Sequence, residues 1–128
     1  MTFNNVNILA VGVGGALGAI CRFYVGTLVI KYFPHELPLA TLLVNVVGSF
    51  FIGLLVGLFV FLTPPEYLKG LLITGFLGAL TTYSTFAIES FVLLNNNFWY
   101  GVLNIVLNVV GTIFAAMIGY KLITLIIK

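Results

Sequence analysis

The chain alternates long apolar stretches with short polar breaks, and this pattern predicts four helices that cross a membrane. Apolar residues fill the ranges 6–30, 39–63, 70–94 and 98–125, and the breaks between them contain Pro, Asn and charged residues. A helix of about 20 residues spans the hydrocarbon core of a bilayer, so each stretch is long enough to cross it. Because the connections are short, successive helices should run antiparallel. We expect one all-helical, four-helix transmembrane domain over residues 1–128.

The composition agrees with a bilayer as the surrounding solvent and argues against several functions. Hydrophobic residues make up 62% of the chain and charged residues only 6%, far below the share of about 25% in soluble domains. A net charge of +2 gives no basic patch, so nucleic acid is not an expected partner. One His and one Cys make a zinc site within one chain very improbable. Three Glu and no Asp leave almost no material for paired carboxylates, and a nucleophile triad lacks a plausible base. We therefore do not expect an enzyme.

The positive charges give little preference for one orientation in the membrane. With four spans, the N-terminus, the 63–69 connector and the C-terminus share one side, which holds Lys69, Lys128 and Lys121. The opposite side holds Lys31. Cytoplasmic loops are normally enriched in Lys and Arg. Because the bias is weak, insertion in both orientations is open, and with it an antiparallel homodimer; charge alone leaves a single orientation equally open.

Small residues recur at helical spacing on three of the spans. They are Gly14 and Gly18 in the first span, Ser49, Gly53 and Gly57 in the second, and Gly111, Ala115 and Gly119 in the fourth. Small faces allow transmembrane helices to approach closely. This pattern predicts close helix packing at these three faces.

Two spans carry uncharged polar side chains at intervals of four residues. They are Thr41, Asn45 and Ser49 in the second span, and Asn104, Asn108 and Thr112 in the fourth. Residues at this spacing lie along one face of a helix. Polar groups at membrane depth are costly, so they either join helices through hydrogen bonds or line a path for an ion. The presence of two such ladders, together with an unusual third span, favours the path.

The third span contains the stretch GFLGALTTYSTFAIES at 75–90, which is unusually rich in Gly and hydroxyl residues. Gly weakens a helix, and Ser and Thr hydroxyls compete for backbone hydrogen bonds. We predict that the helix breaks within 78–82. The first half-helix would then end in carbonyls that favour a cation, and the second would begin with amides that favour an anion. An unbroken helix, with hydroxyls bonded to its own carbonyls, is the alternative.

An aromatic pair follows the predicted break. Tyr83 and Phe86 are three residues apart and therefore share one face of a helix. Aromatic ring edges carry positive partial charge, so they can contact an anion without the deep well that Lys or Arg would create. A conducted ion must also leave its site, which requires weak and repeated binding. The pattern favours a path for a small hydrated anion, with simple ring packing as the alternative.

Arg22 and Glu89 are charged residues well inside the first and third spans. Arg22 should either extend toward the membrane surface or give a vestibule a positive potential. Glu89 follows Thr85 by one helical turn and is expected to anchor that residue or a neighbouring helix.

These residues together resemble the Fluc (CrcB) family of fluoride channels over nearly the whole chain. The shared segments are GALGAICR at 15–22, TLLVNVVGS at 41–49 and GFLGALTTYSTFAIE at 75–89. The resemblance implies an antiparallel, dual-topology homodimer in the cell (inner) membrane, with the lipid bilayer around it. It also implies two pores at the subunit interface that export cytoplasmic fluoride passively.

The resemblance assigns residues to two ions. A structural sodium ion at the dimer centre would be held by the backbone carbonyls of Gly78 and Thr81 from both subunits. The fluoride path would include, on three spans, Asn45, Tyr83, Ser84, Thr85, Phe86, Asn104, Asn108 and Thr112, together with Thr41 of the same ladder. The chain departs from the family in having Tyr83 in place of Phe. Its fourth-span ladder has two Asn and a Thr, whereas the family usually has Tyr followed by Ser.

Two other functions remain as alternatives. A small multidrug or cation exporter would also have four spans, but it needs a carboxylate inside the membrane, and the first span offers Arg22 instead. A structural membrane subunit would explain the glycine faces but not two polar ladders and a helix break.

Overall fold

The computed structural model describes residues 2–127, and within them the chain is helical without strands. The elements are α1 (Asn5–Tyr32), α2 (Leu39–Phe61), α3 (Glu66–Lys69), a π-helical segment (Gly70–Leu77), α4 (Gly78–Leu80), α5 (Tyr83–Asn96) and α6 (Phe98–Ile126). Four spans are long and apolar enough to cross a membrane, namely Asn5–Tyr32, Leu39–Phe61, Glu66–Asn96 and Phe98–Ile126. The predicted all-helical fold with four such spans is confirmed.

The ends of the spans depend on polar residues that hydropathy does not detect. Asn4 accepts a hydrogen bond from the amide of Asn7 at 2.8 Å, and Asn97 accepts one from the amide of Tyr100 at 3.4 Å. These bonds cap α1 and α6. The third span begins at Glu66, four residues before the predicted start, directly after Pro65. Proline is tolerated at the start of a helix because no intrahelical donor is required there.

The helices pack in two close pairs, each through small residues. The first span packs on the π-helical segment and α4, and α2 packs on α6. A Cβ atom added at Gly18 would overlap the carbonyl oxygen of Phe76, and one added at Gly119 would overlap that of Phe50. The backbones therefore touch at these positions, as the small faces predict. Val44, Leu77 and Leu80 form the buried apolar cluster between α2 and the third span.

The third span is interrupted between α4 and α5. Thr81 (φ −78°, ψ 155°) and Thr82 (φ −147°, ψ 113°) have extended backbones. The predicted break is present and lies at the C-terminal end of the expected range. The π-helical segment that precedes it was not predicted. Such segments are rare and occur frequently at functional sites.

Candidate functional site

The side chain of Asn45, on α2, holds the interrupted backbone. Its Oδ1 accepts a hydrogen bond from the Thr82 amide at 2.8 Å, and its Nδ2 donates to the Thr82 carbonyl at 3.2 Å. Both residues are buried, with 8% and 7% of their surface exposed. Unpaired backbone groups are very costly inside a membrane. One amide side chain thus satisfies both backbone polar groups of the extended residue.

The break also redirects the amides that would normally bond to two carbonyls. In a continuous helix the Thr82 amide would donate to the Gly78 carbonyl, and the Thr85 amide to the Thr81 carbonyl. Instead, the Thr82 amide donates to Asn45, and the Thr85 amide donates to Thr82 Oγ1 at 3.3 Å. The carbonyls of Gly78 and Thr81 therefore lose their helical donors. Oxygen ligands of this kind suit a hard cation.

The start of α5 presents hydrogen-bond donors. Thr82 caps this helix, and its hydroxyl also donates to Thr85 Oγ1 at 2.9 Å. Ser84 and Thr85 are exposed in a single copy of the chain. The first amides of a helix carry positive partial charge and bind anions readily. This end of α5 therefore combines amide and hydroxyl donors with a favourable dipole.

Tyr83 and Phe86 make an edge contact beside these donors. Their ring centroids are 5.5 Å apart and the rings are inclined at 66°. The Phe86 side chain is 7% exposed, whereas that of Tyr83 is 80% exposed. Phe86 is thus fixed within the bundle, and Tyr83 extends from its surface.

A cavity of about 340 Å³ lies beside the break. Five of the residues predicted for the ion path contribute to its lining, and these are Asn45, Tyr83, Phe86, Asn108 and Thr112. Four do not, namely Thr41, Ser84, Thr85 and Asn104. Thr81 and Thr82 also line the cavity, so the break itself forms part of its wall. The structure brings α2, α5 and α6 together around this space.

Four buried side chains form a continuous hydrogen-bond chain, which we call the amide relay: Asn45, Asn108, Asn104 and Ser90. Asn45 Nδ2 donates to Asn108 Oδ1 at 3.0 Å, and Asn108 Nδ2 donates to Asn104 Oδ1 at 3.0 Å. Asn104 Nδ2 donates to Ser90 Oγ at 3.0 Å. Ser90 Oγ in turn donates to the Phe86 carbonyl at 2.8 Å.

The relay uses both amide hydrogens of two of its members. Asn45 Nδ2 bonds to Thr82 and Asn108, and Asn108 Nδ2 bonds to the carbonyl and the side chain of Asn104. Asn104 and Asn108 are only 1% and 3% exposed. In this structure the fourth-span ladder therefore joins helices. Its last member, Thr112, donates to the Asn108 carbonyl at 2.6 Å.

Arg22 and Glu89, two charged residues in the interior of the spans, occupy different surroundings. Glu89 anchors a neighbouring helix rather than Thr85, because its Oε1 accepts a hydrogen bond from Thr41 on α2 at 2.8 Å. Its Oε2 is buried and has no hydrogen-bond partner among residues 2–127. Arg22 is half-buried on α1 and does not line the cavity beside the break.

Sequence reasoning did not identify Thr82 and Ser90 as part of the site. For Thr82 a signal exists, since Thr is a preferred N-cap residue and here lies directly before the second half-helix, where its hydroxyl accepts from the backbone amide of Thr85. For Ser90 the signal is weak, because its partner Asn104 lies 14 residues away on another helix.

A four-span membrane protein whose third span is broken beside a cavity with both polar and apolar lining residues has an architecture that small channels and transporters use. The chain belongs to the CrcB family, since the family model described as "CrcB-like protein, Camphor Resistance (CrcB)" matches residues 9–120. The suspected family is thereby confirmed.

Several relatives carry the name "Fluoride-specific ion channel FluC". One from Sulfurimonas denitrificans is 46% identical over 123 residues, which cover 94% of this chain and 95% of the relative. One from Nautilia profundicola is 44% identical over 124 residues, with 94% and 96% covered. One from Nitratiruptor sp. is 48% identical over 118 residues, with 89% and 91% covered. The chain is therefore a multi-pass membrane protein of an ion-channel family, and not an enzyme.

Proposed function

We propose that this protein is a fluoride-selective channel that exports cytoplasmic fluoride passively across the cell membrane. The observation that carries the proposal is the break at Thr81–Thr82, where Asn45 holds the backbone beside the donor-rich start of α5. The relatives named as fluoride-specific channels supply the identity of the ion.

The neutral character of the site supports conduction of a small anion. Fluoride holds its water strongly, so donors must replace that water along the path. Hydroxyls of Ser84 and Thr85, the first amides of α5 and the ring edges of Tyr83 and Phe86 are suitable donors. Among residues 2–127, no Lys or Arg lines the cavity, which keeps binding weak enough for the ion to leave.

Passive movement is sufficient for export. Fluoride enters a cell as neutral HF from acidic surroundings and dissociates in the less acidic cytoplasm. The anion then accumulates inside, and a selective path lets it leave down its own gradient without coupling to an energy source.

We propose that two antiparallel copies form the working unit and enclose two pores. In a single copy Tyr83, Ser84 and Thr85 are exposed at membrane depth. Hydroxyls at this depth need protein or water partners rather than lipid. A second copy packed against this face would complete the wall of the path, and the weak charge bias allows the two orientations that this arrangement requires.

We also propose a structural sodium ion between the two copies. The Gly78 and Thr81 carbonyls fit such an ion because their helical donors are engaged elsewhere. When bound, the ion would supply positive charge that holds the carbonyl ends of both first half-helices together. Replacing sodium by a large organic cation during purification should therefore shift the protein toward monomer in size-exclusion chromatography. An unchanged dimer would contradict the central cation site.

The decisive experiment is fluoride efflux from liposomes that contain the purified protein, measured with a fluoride electrode. Rapid fluoride efflux is expected, with chloride efflux, measured in parallel, close to that of protein-free liposomes. Efflux of both anions at similar rates would contradict selectivity. No fluoride efflux from protein that elutes as a folded species would contradict the channel itself.

A further inference from the structure

We infer that Ser90 is a positioning residue for conduction, and that it acts through the amide relay by fixing the placement of Phe86 relative to Asn45. This inference rests on the proposed fluoride conduction, and it assigns to the buried Asn104–Ser90 pair a role in orienting the path rather than in contacting the ion.

The helix α5 is mechanically separated from α4, the helix before it. Thr81 and Thr82 are extended, so no helical hydrogen bonds continue from α4 into α5. The position and rotation of α5 therefore depend on contacts with its neighbours. Its main neighbour is α6, against which Gly101 brings the backbone close to Leu94.

Besides the bond between Glu89 and Thr41, α5 has polar links to its neighbours at two heights, and the relay connects these two links. At its start, Thr82 is bonded to Asn45 on α2. Two turns later, Ser90 accepts a hydrogen bond from Asn104 on α6. Asn108 bonds to both Asn45 and Asn104, so the two links are parts of one chain of hydrogen bonds.

Through Ser90, this chain of hydrogen bonds reaches the backbone of Phe86. Ser90 Oγ donates to the carbonyl of Phe86, while accepting from Asn104. The Phe86 ring lines the cavity together with Asn45 and Asn108. Small misplacements of a group that contacts a substrate are costly, as catalytic sites show. Because Ser90 is 6% exposed and does not line the cavity, its effect on conduction must be indirect.

The test compares Ser90→Ala with the wild-type protein in the liposome efflux assay, with flux normalised to the amount of folded protein. Ser90→Ala removes the hydroxyl that both bonds require. We expect fluoride flux to fall roughly tenfold, the factor that corresponds to the loss of about one hydrogen bond. We also expect a smaller fluoride-over-chloride ratio, which a purely structural role would not change. Ser90→Thr keeps the hydroxyl and should restore both quantities.

A matched control is available on the first helix. The hydroxyl of Thr27 donates to the carbonyl of Phe23, four residues earlier, at 2.9 Å, and nothing else within residues 2–127 bonds to it. Thr27→Val should leave flux and selectivity unchanged.

The outcomes separate this inference from the proposed function. Wild-type flux and selectivity in Ser90→Ala would overturn the positioning role while leaving the channel intact. A wild-type protein that passes no fluoride would instead contradict the proposed function. If Ser90→Ala does not fold, Ser90→Cys decides, because it keeps the volume with only weak hydrogen bonding; reduced flux then supports the role, and wild-type flux overturns it.

Discussion

The two halves of the third span are held by different kinds of contact. Residues 70–80 pack against α1 through glycines, with Gly14 and Gly18 against the carbonyls of Leu71 and Phe76, and Gly75 against the carbonyl of Val11. After the break, α5 packs on α6 and is also held by side-chain hydrogen bonds, from α2 at its start and at Glu89, and from α6 at Ser90. Close backbone packing at glycines thus holds the first half of the span, the part fixed by shape. Side-chain hydrogen bonds help to hold the second half, the part held by polar links.

This difference has a consequence for function. Backbone contact through glycine is close and does not tolerate added atoms, which suits a part of the molecule that only needs to stay in place. Hydrogen bonds between side chains specify both the position and the rotation of a helix. This suits α5, which we propose presents Phe86 and the donors of its first turn to an ion. Substitutions in the first half should therefore affect folding, whereas substitutions in the second half should affect conduction in a folded protein.

The largest effect is expected for Gly18→Val, which tests the part fixed by shape. A Cβ at this position would overlap the carbonyl oxygen of Phe76, and backbone atoms cannot move aside cheaply. Overpacking typically lowers the free energy of unfolding by about 1–3 kcal/mol, and we expect Gly18→Val to cost at least the upper value. Little or no folded protein should appear in size-exclusion chromatography.

A neighbouring glycine on the same helix provides the control for this substitution. A Cβ at Gly12 would meet no atom within 4 Å, and alanine is the better helix former. Gly12→Ala should therefore purify like the wild-type protein. If Gly18→Val also purified normally, the close approach of α1 to the third span would be wrong.

The next effect is expected for Phe86→Ile, which tests the part held by polar links. The side chain is buried and lines the cavity, but isoleucine keeps much of its volume, so folding and assembly should survive. The aromatic ring that lines the cavity would be lost. If its edge contacts fluoride as we propose, fluoride flux should fall by roughly a hundredfold or more, the scale seen when a group that contacts a substrate is misplaced.

Phe91→Ile is the matched control, because Phe91 lies on the same helix and is 61% exposed. It should leave fluoride flux unchanged. Unaltered flux in Phe86→Ile would remove the ring edge from the mechanism, and a shift in elution volume would show that the substitution had disturbed the assembly instead.

The features that could be predicted from the sequence are those that depend on neighbouring residues in the chain. The four spans follow from the length of the apolar stretches, and the break follows from Gly and hydroxyl residues whose effects are confined to a few neighbours. The Thr82 cap depends on Thr85, three residues away, and was within reach of the same reasoning.

The hydrogen bonds between helices could not be predicted, because they depend on which helix faces lie opposite each other. The spacing of Asn104 and Asn108 shows that they share a helix face, but not which helix lies opposite. Their hydrogen bonds to Ser90 and Asn45 cross to other elements, and Asn45 itself bonds to a residue 37 positions further along the chain. Such pairs are set by the packing of whole spans. The same holds for the π-helical segment before the break.

The smallest effect is expected for Tyr83→Phe, which introduces the residue that the resemblance to the Fluc family implies at this position and sharpens the comparison within α5. The Tyr83 side chain is 80% exposed, and its hydroxyl has no hydrogen-bond partner within residues 2–127. The ring that meets Phe86 at 5.5 Å is retained. We therefore expect fluoride flux within about twofold of the wild type, as for substitutions that remove no specific contact. A tenfold change of fluoride flux in the efflux assay would mean that the Tyr83 hydroxyl contacts the ion or the second copy. The polar contacts that position α5 would then include its exposed face as well as the buried relay.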